Sequence, residues 1–187
     1  MKKIFNKALR ILLTTNGMLL LAGAMLGPIY ALFVEEIGGD LLDASLAGAM
    51  FAAAAGVTVL ISGKYADKIK EGKTIVVIGY GLIGIGFLLL TQVHTMWTLL
   101  LVQVIIGIGE AIYSPAFDAL YSRHLDKNKF GREWGAWEAL MYFSTAAGAI
   151  IGGIVVTMFG FTILFVIMGV LSLLSALYIY LLPKKLL

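Results

Sequence analysis

Residues 96–120 read MWTLLLVQVIIGIGEAIYSPAFDAL, a run of 25 positions without a single Lys or Arg. As a helix rising 1.5 Å per residue it is about 37 Å long, enough to cross roughly 30 Å of hydrocarbon. The run is predominantly apolar and lacks the period-two alternation of a barrel strand, so it reads as a helix through a bilayer. Glu110 lies 14 residues into it, near the midplane. A carboxyl group at that depth is costly unless it is neutralised, paired or turned towards water, and by default it is a functional candidate.

Five further stretches have the same character: 9–34, 45–62, 74–92, 135–159 and 161–182. The 187-residue chain is 60% hydrophobic and 13% charged, against about 45–50% and 25% in soluble domains. That excludes a disordered chain, a soluble enzyme and a secreted disulfide scaffold. The absence of Cys removes disulfides, thiolate metal sites and Cys nucleophiles. His94 and His124, thirty positions apart, cannot form a His cluster, and the sequence calls for no metal and no cofactor. The expected fold is therefore an all-α integral membrane protein of six transmembrane helices.

The positions of the cations set its orientation. Lys2, Lys3, Lys7 and Arg10 precede the first stretch, and Lys64, Lys68, Lys70 and Lys73 lie around the second connection. Arg123, Lys127, Lys129 and Arg132 lie around the fourth connection, and Lys184 and Lys185 follow the last stretch. All 14 basic residues thus fall on one side, while Glu35, Glu36, Asp40 and Asp43 lie opposite. Basic loops stay cytoplasmic, so both termini are expected on the cytoplasmic side of the cell (inner) membrane, and an antiparallel dimer is disfavoured. These loops serve topology and anionic lipid headgroups rather than nucleic acid. Lys2-Lys3 ahead of an apolar run ending near Ala22-Gly23-Ala24 imitates a cleaved signal. The run continues to position 34 and reads as an uncleaved span.

Sliding the chain on itself by 87 positions places Pro28 on Pro115, Ala24 on Ala111, Tyr30 on Phe117, Asn16 on Gln103 and Gly48 on Gly135. The same offset superposes the span boundaries. Three spans per copy is an odd number, so the second copy is inverted in the membrane. The chain is expected to form one six-helix domain, 1–187, built as a 3+3 inverted repeat of 1–87 and 88–187.

Three motifs carry a family resemblance. Gly63-Lys64-Tyr65-Ala66-Asp67-Lys68 is similar to the start of a G-x-x-x-D-[RK]-x-G-[RK]-[RK] loop, with Lys70 and Glu71 lengthening its second half before Gly72-Lys73. Gln103, Gly107 and Gly109 resemble an R-x-x-x-G-x-G pattern with Gln in place of Arg. Gly135, Ser144, Gly148, Ala149, Gly152 and Gly153 match four of six positions of an antiporter G-x8-G-x3-G-P-x2-G-G signature. Along its whole length the chain resembles one six-helix half of a major facilitator superfamily transporter.

That resemblance implies a central cavity lined by the first and fourth spans, and a cytoplasmic latch involving Gly63, Asp67 and Lys68. Arg123 is an ion-pair candidate for Asp67 or Asp118. Gln103 in the Arg position removes the cation of an Arg-based proton relay.

Gln103, Glu110, Ser114 and Phe117 share one helix stripe, and with Asn16 they form the candidate substrate- or proton-binding set. Pro28 and Pro115 can loosen their helices for bending. Gly107, Gly109, Gly148, Gly152 and Gly153, like Gly23-x-x-x-Gly27, are expected to let helices pack closely. Gly79-x-Gly81-x-x-Gly84 imitates a dinucleotide motif, but it lies inside a span with no acid some twenty residues on; packing explains it. Trp134 and Trp137, flanking Glu138, read as interface anchors.

One six-helix half cannot close a central cavity. The expectation is a half-size secondary transporter of a small solute, working by alternating access as a parallel homodimer. A lipophilic or cationic compound coupled to protons is one candidate cargo. The alternatives are an isolated N-terminal half requiring a separate partner half, or a non-transporting membrane scaffold.

Overall fold

The computed structural model describes residues 5–66, 72–183 and 186–187. Among these residues the fold is entirely helical, and five helical segments are long and apolar enough to cross a membrane. They are α1 (Lys7–Leu26) continued by α2 (Tyr30–Glu36), then α3 (Leu41–Ala66), α4 (Gly72–Leu89), α5 (Met96–Arg123) and α6 (Phe130–Leu181). Asp67 and Lys68 lie outside the described residues.

The helix ends follow local chemistry. Asn6 caps α1, its side-chain oxygen accepting the Leu9 N–H at 2.9 Å. Pro28 ends α1, entering a 3-10 turn over Gly27–Ile29 before α2 resumes. Asp40 and Asp43 exchange side-chain-to-backbone hydrogen bonds of 2.9 and 3.1 Å at the start of α3. The two acids expected in a loop therefore serve as a reciprocal cap. Thr95 and Thr98 form the equivalent box at α5.

Contacts between glycines and neighbouring helices give the directions of the helices. Gly79 abuts Tyr113 and Gly86 abuts Ile106, so α4 and α5 run in opposite directions. Asn6 donates to the His124 carbonyl and Gln103 to Tyr30, so α1 also runs against α5. Gly107 lies on the backbone of Phe51, and Ser62 donates to the Ala111 carbonyl, so α3 runs with α5.

The 52 residues of α6 would measure about 78 Å if straight, more than twice the hydrocarbon thickness. They are broken at Gly160, whose φ of 78° and ψ of 174° are open to glycine and strained for other residues. Before the break, Leu140, Gly148 and Gly152 follow Gly17, Ala24 and Met25 in ascending order. Beyond it, Gly169 and Leu173 meet Leu88 and Gly84 in descending order, and Lys73 donates to the Tyr180 and Leu182 carbonyls. The chain thus doubles back at Gly160, between the stretches expected at 135–159 and 161–182.

In lipid the hydrophobic effect does not hold helices together, and close packing does. The glycines supply it at most of the expected positions. A Cβ at Gly107 would come within 2.5 Å of the Phe51 carbonyl oxygen, one at Gly109 within 2.9 Å of Ile83, and one at Gly148 within 2.6 Å of the Ala24 Cβ. One at Gly152 would collide with the Met25 carbonyl. Gly79 and Gly84 pack as tightly, against Tyr113 and Leu173. Two expectations are corrected. Among the described residues a Cβ at Gly153 would meet nothing within 4 Å, and the same is true at Gly23 and Gly27, so none of the three packs closely against another described residue. Trp134 and Trp137 pack inward, Trp134 lying 5.1 Å from the Tyr121 ring and 5.8 Å from Trp137.

The 124–129 connection is tied down at what is here called the basic end. Glu133, fully buried in the first turn of α6, accepts the Asp126 N–H at 2.8 Å, and its carbonyl accepts the Tyr121 hydroxyl at 2.5 Å. Glu133→Ala would leave the Asp126 N–H without its partner. A loss of about 1–3 kcal/mol is expected, read as a lower thermal midpoint in detergent; an unchanged midpoint would show that the bond contributes nothing.

Asp126 itself is held below the ordinary carboxylate range, first by the Lys129 ammonium at 2.6 Å and then by the Asn6 amide. Its folded pKa is depressed. The stabilisation it gives is therefore fully present above the unfolded carboxylate pKa and is lost as pH falls through the folded value. In a carbon-detected NMR titration, Lys129→Ala should raise the Asp126 midpoint; an unmoved midpoint would remove Lys129 as the cause.

Candidate functional site

Two residues of the stripe expected on α5 do converge. Gln103 and Glu110 both line an open cleft of about 490 Å³. Ile106 and Tyr113 complete the α5 wall, and Leu20, Gly23 and Ala24 of α1 face it. Pro28 and Tyr30, Phe51 of α3, Ile83 and Phe87 of α4, and Thr145 of α6 also line it. Gly23 and Gly27 are bare on this side, and that bareness is what leaves room for the cleft.

The break at Gly27–Ile29 positions Tyr30 so that its hydroxyl accepts from the Gln103 amide at 2.7 Å, joining the two helices across the cleft. Tyr113, one turn beyond Glu110, donates its hydroxyl to Glu110 Oε1 at 3.1 Å. Glu110 is half-buried, and its carboxylate retains acceptor capacity towards the cleft. Four aromatic rings, those of Tyr30, Phe51, Phe87 and Tyr113, stand around one carboxyl group and one amide. Such a lining can hold an organic cation by charge and by ring faces, or a proton on Glu110.

The remaining candidates are placed elsewhere. Phe117 is buried in the core, stacked on Tyr121 at 5.8 Å, and does not line the cleft. Ser114 is half-buried and also lies off the lining. Asn16 is buried on α1 outside the cleft, and its Oδ1 has no hydrogen-bond partner among the described residues. Pro115 sits within α5. Gly63 stands in open space, where an added Cβ would meet nothing within 4 Å among the described residues. Arg123 is exposed and makes no ion pair among the described residues. Tyr30, Phe51 and Tyr113 join the site from the structure alone. Tyr113 is the one with a signal in the sequence, since it stands three residues after Glu110 on the same helix face.

Long apolar helices packed around a cleft, as found among the described residues, define a multi-pass helical membrane protein. Residues 12–186 match the sequence profile of the Major Facilitator Superfamily, and the chain belongs to that family of transporters, which are not enzymes. It is 25% identical to multidrug resistance protein MdtG of Yersinia enterocolitica, over 96% of this chain and 45% of that protein. It is 27% identical to an uncharacterized MFS-type transporter of Methanocaldococcus jannaschii, over 96% and 46%. The MdtG protein of Salmonella typhimurium is 26% identical over 89% and 42%. The chain spans less than half the length of these curated relatives.

Proposed function

We propose that the chain is one six-span half of a secondary transporter, a 3+3 inverted repeat with both termini cytoplasmic. It moves a small solute by alternating access together with a second six-span unit. The observation that carries this reading is the cleft itself, in which Glu110 and Gln103 face a shared apolar and aromatic lining. The reversal at Gly160 supports six crossings rather than five, and the one-sided cations support the orientation.

The second unit is a second copy of this chain, arranged in parallel about an axis along the membrane normal. Exposed apolar residues on α3, including Leu46, Met50 and Val57, and on the first part of α6, including Phe143, Ile150 and Ile154, suit either lipid or that copy. The cleft chemistry favours a lipophilic cation exchanged against protons on Glu110. The length of the relatives supports a second reading, in which the other unit is a distinct partner half.

Proteoliposomes containing this chain alone, loaded with ethidium as a lipophilic cation and given an imposed pH gradient, test the proposal. Gradient-driven ethidium movement is the expected result. Movement only after a partner half is added supports the second reading. No movement in either case, with folded protein, contradicts transport and leaves a scaffold.

A further inference from the structure

A second cavity, of about 870 Å³, opens at the basic end between α4, α5 and the second half of α6, away from the cleft. Its apolar wall includes Val77, Ile78 and Leu181, and Ile78 and Leu181 are 50% and 70% exposed. Its polar mouth is cationic: Lys73, Arg123 and His124 line it, and no Asp or Glu does among the described residues.

These groups are not all consumed by the fold. Lys73 gives two of its three N–H groups to the Tyr180 and Leu182 carbonyls, closing the end of α6, and the third has no partner among the described residues. His124 is fixed through Nδ1 to the Leu120 carbonyl. The Arg123 guanidinium makes no ion pair or hydrogen bond among the described residues, although its planar fork is matched to phosphate oxygens. A groove that is apolar along its wall and cationic at its mouth, with no acid among the described lining residues, complements an amphiphilic anion. Water-soluble anions would leave the apolar wall unused.

We propose that this cavity is a binding site for an anionic phospholipid, with the headgroup phosphate on Arg123 and Lys73 and an acyl chain along Ile78 and Leu181. The site is independent of the transport cleft, and its occupancy would steady the α4–α6 contact at the basic end.

The test uses the full chain in nanodiscs of equal parts phosphatidylglycerol and phosphatidylcholine, with retained lipid counted by native mass spectrometry. Preferential retention of phosphatidylglycerol is expected. Arg123→Gln should lower it about fivefold, the effect of one cation near a lipid surface, while Arg123→Lys keeps most of it. Lys127→Gln, equally exposed at the same end but outside the cavity, should leave it unchanged. Circular dichroism and gel filtration verify that each variant is folded, and Ile78→Trp, which fills the groove without altering charge, should also lower retention. Equal loss in Arg123→Gln and Lys127→Gln would reduce the effect to general surface charge and overturn the site. Displacement of the lipid by excess inorganic phosphate would assign it to a free anion and overturn the lipid assignment.

Discussion

Glu110→Gln is expected to abolish pH-dependent transport while leaving the protein folded. The substitution keeps the size of the side chain and an acceptor oxygen for the Tyr113 hydroxyl, now 3.1 Å from Oε1. It removes the sole carboxylate lining the cleft among the described residues. For a cationic solute the lost charge-assisted contact is worth about 1.5–3 kcal/mol, which corresponds to roughly a tenfold to hundredfold loss of affinity. For proton coupling the loss is complete, because an amide does not titrate. Ethidium flux as a function of external pH reads both effects. Unchanged, pH-dependent flux in Glu110→Gln would remove Glu110 from the mechanism and make its carboxyl a packing group hydrogen-bonded to Tyr113.

The second large effect separates two adjacent residues. Gly152→Ala would drive a methyl group into the Met25 backbone, where α6 crosses α1. Rigid backbone cannot yield as a flexible side chain would, so a destabilisation of about 1–3 kcal/mol or more is expected. Gly153→Ala places its methyl group where no described residue lies within 4 Å. It should be neutral or stabilising by up to about 1 kcal/mol through helix propensity. Thermal unfolding of the two variants in the same detergent compares them directly. Equal behaviour would contradict the α1–α6 packing.

The pair also marks where the sequence stops being legible. Gly152 and Gly153 are indistinguishable as letters, since both stand in one small-residue motif. Only the crossing of α1 decides which of them faces a backbone. The same limit explains Gly23 and Gly27, whose spacing imitates a packing motif but whose side of α1 faces the cleft. The membrane class and the break at Gly160 are readable because they rest on local composition and a glycine.

The site is legible along one helix and obscure across helices. Gln103 and Glu110 follow from spacing on α5 alone. Phe117 shares their stripe but lies seven residues beyond Glu110, about 10 Å further along the axis, past the end of the cleft and against Tyr121. Asn16 fails for a different reason. Its equivalence to Gln103 is one of sequence position, and α1 and α5 run in opposite directions. Equivalent positions in the two helices therefore sit towards opposite ends of the bundle. Tyr30 and Phe51 are unreadable because they reach the cleft from other helices, through the break at Pro28 and the α3–α5 contact. Glu133 passes as one more loop charge, and its burial depends on the fold of 124–129 around Asn6 and Tyr121.

In the proposed arrangement two six-span units complete one transport path, the second unit being another copy of this chain. Native mass spectrometry of the purified protein released from nanodiscs tests this most directly. A dominant species of twice the chain mass that persists on dilution is expected. A stable single chain under the same conditions, with the protein folded and lipid retained, would contradict it.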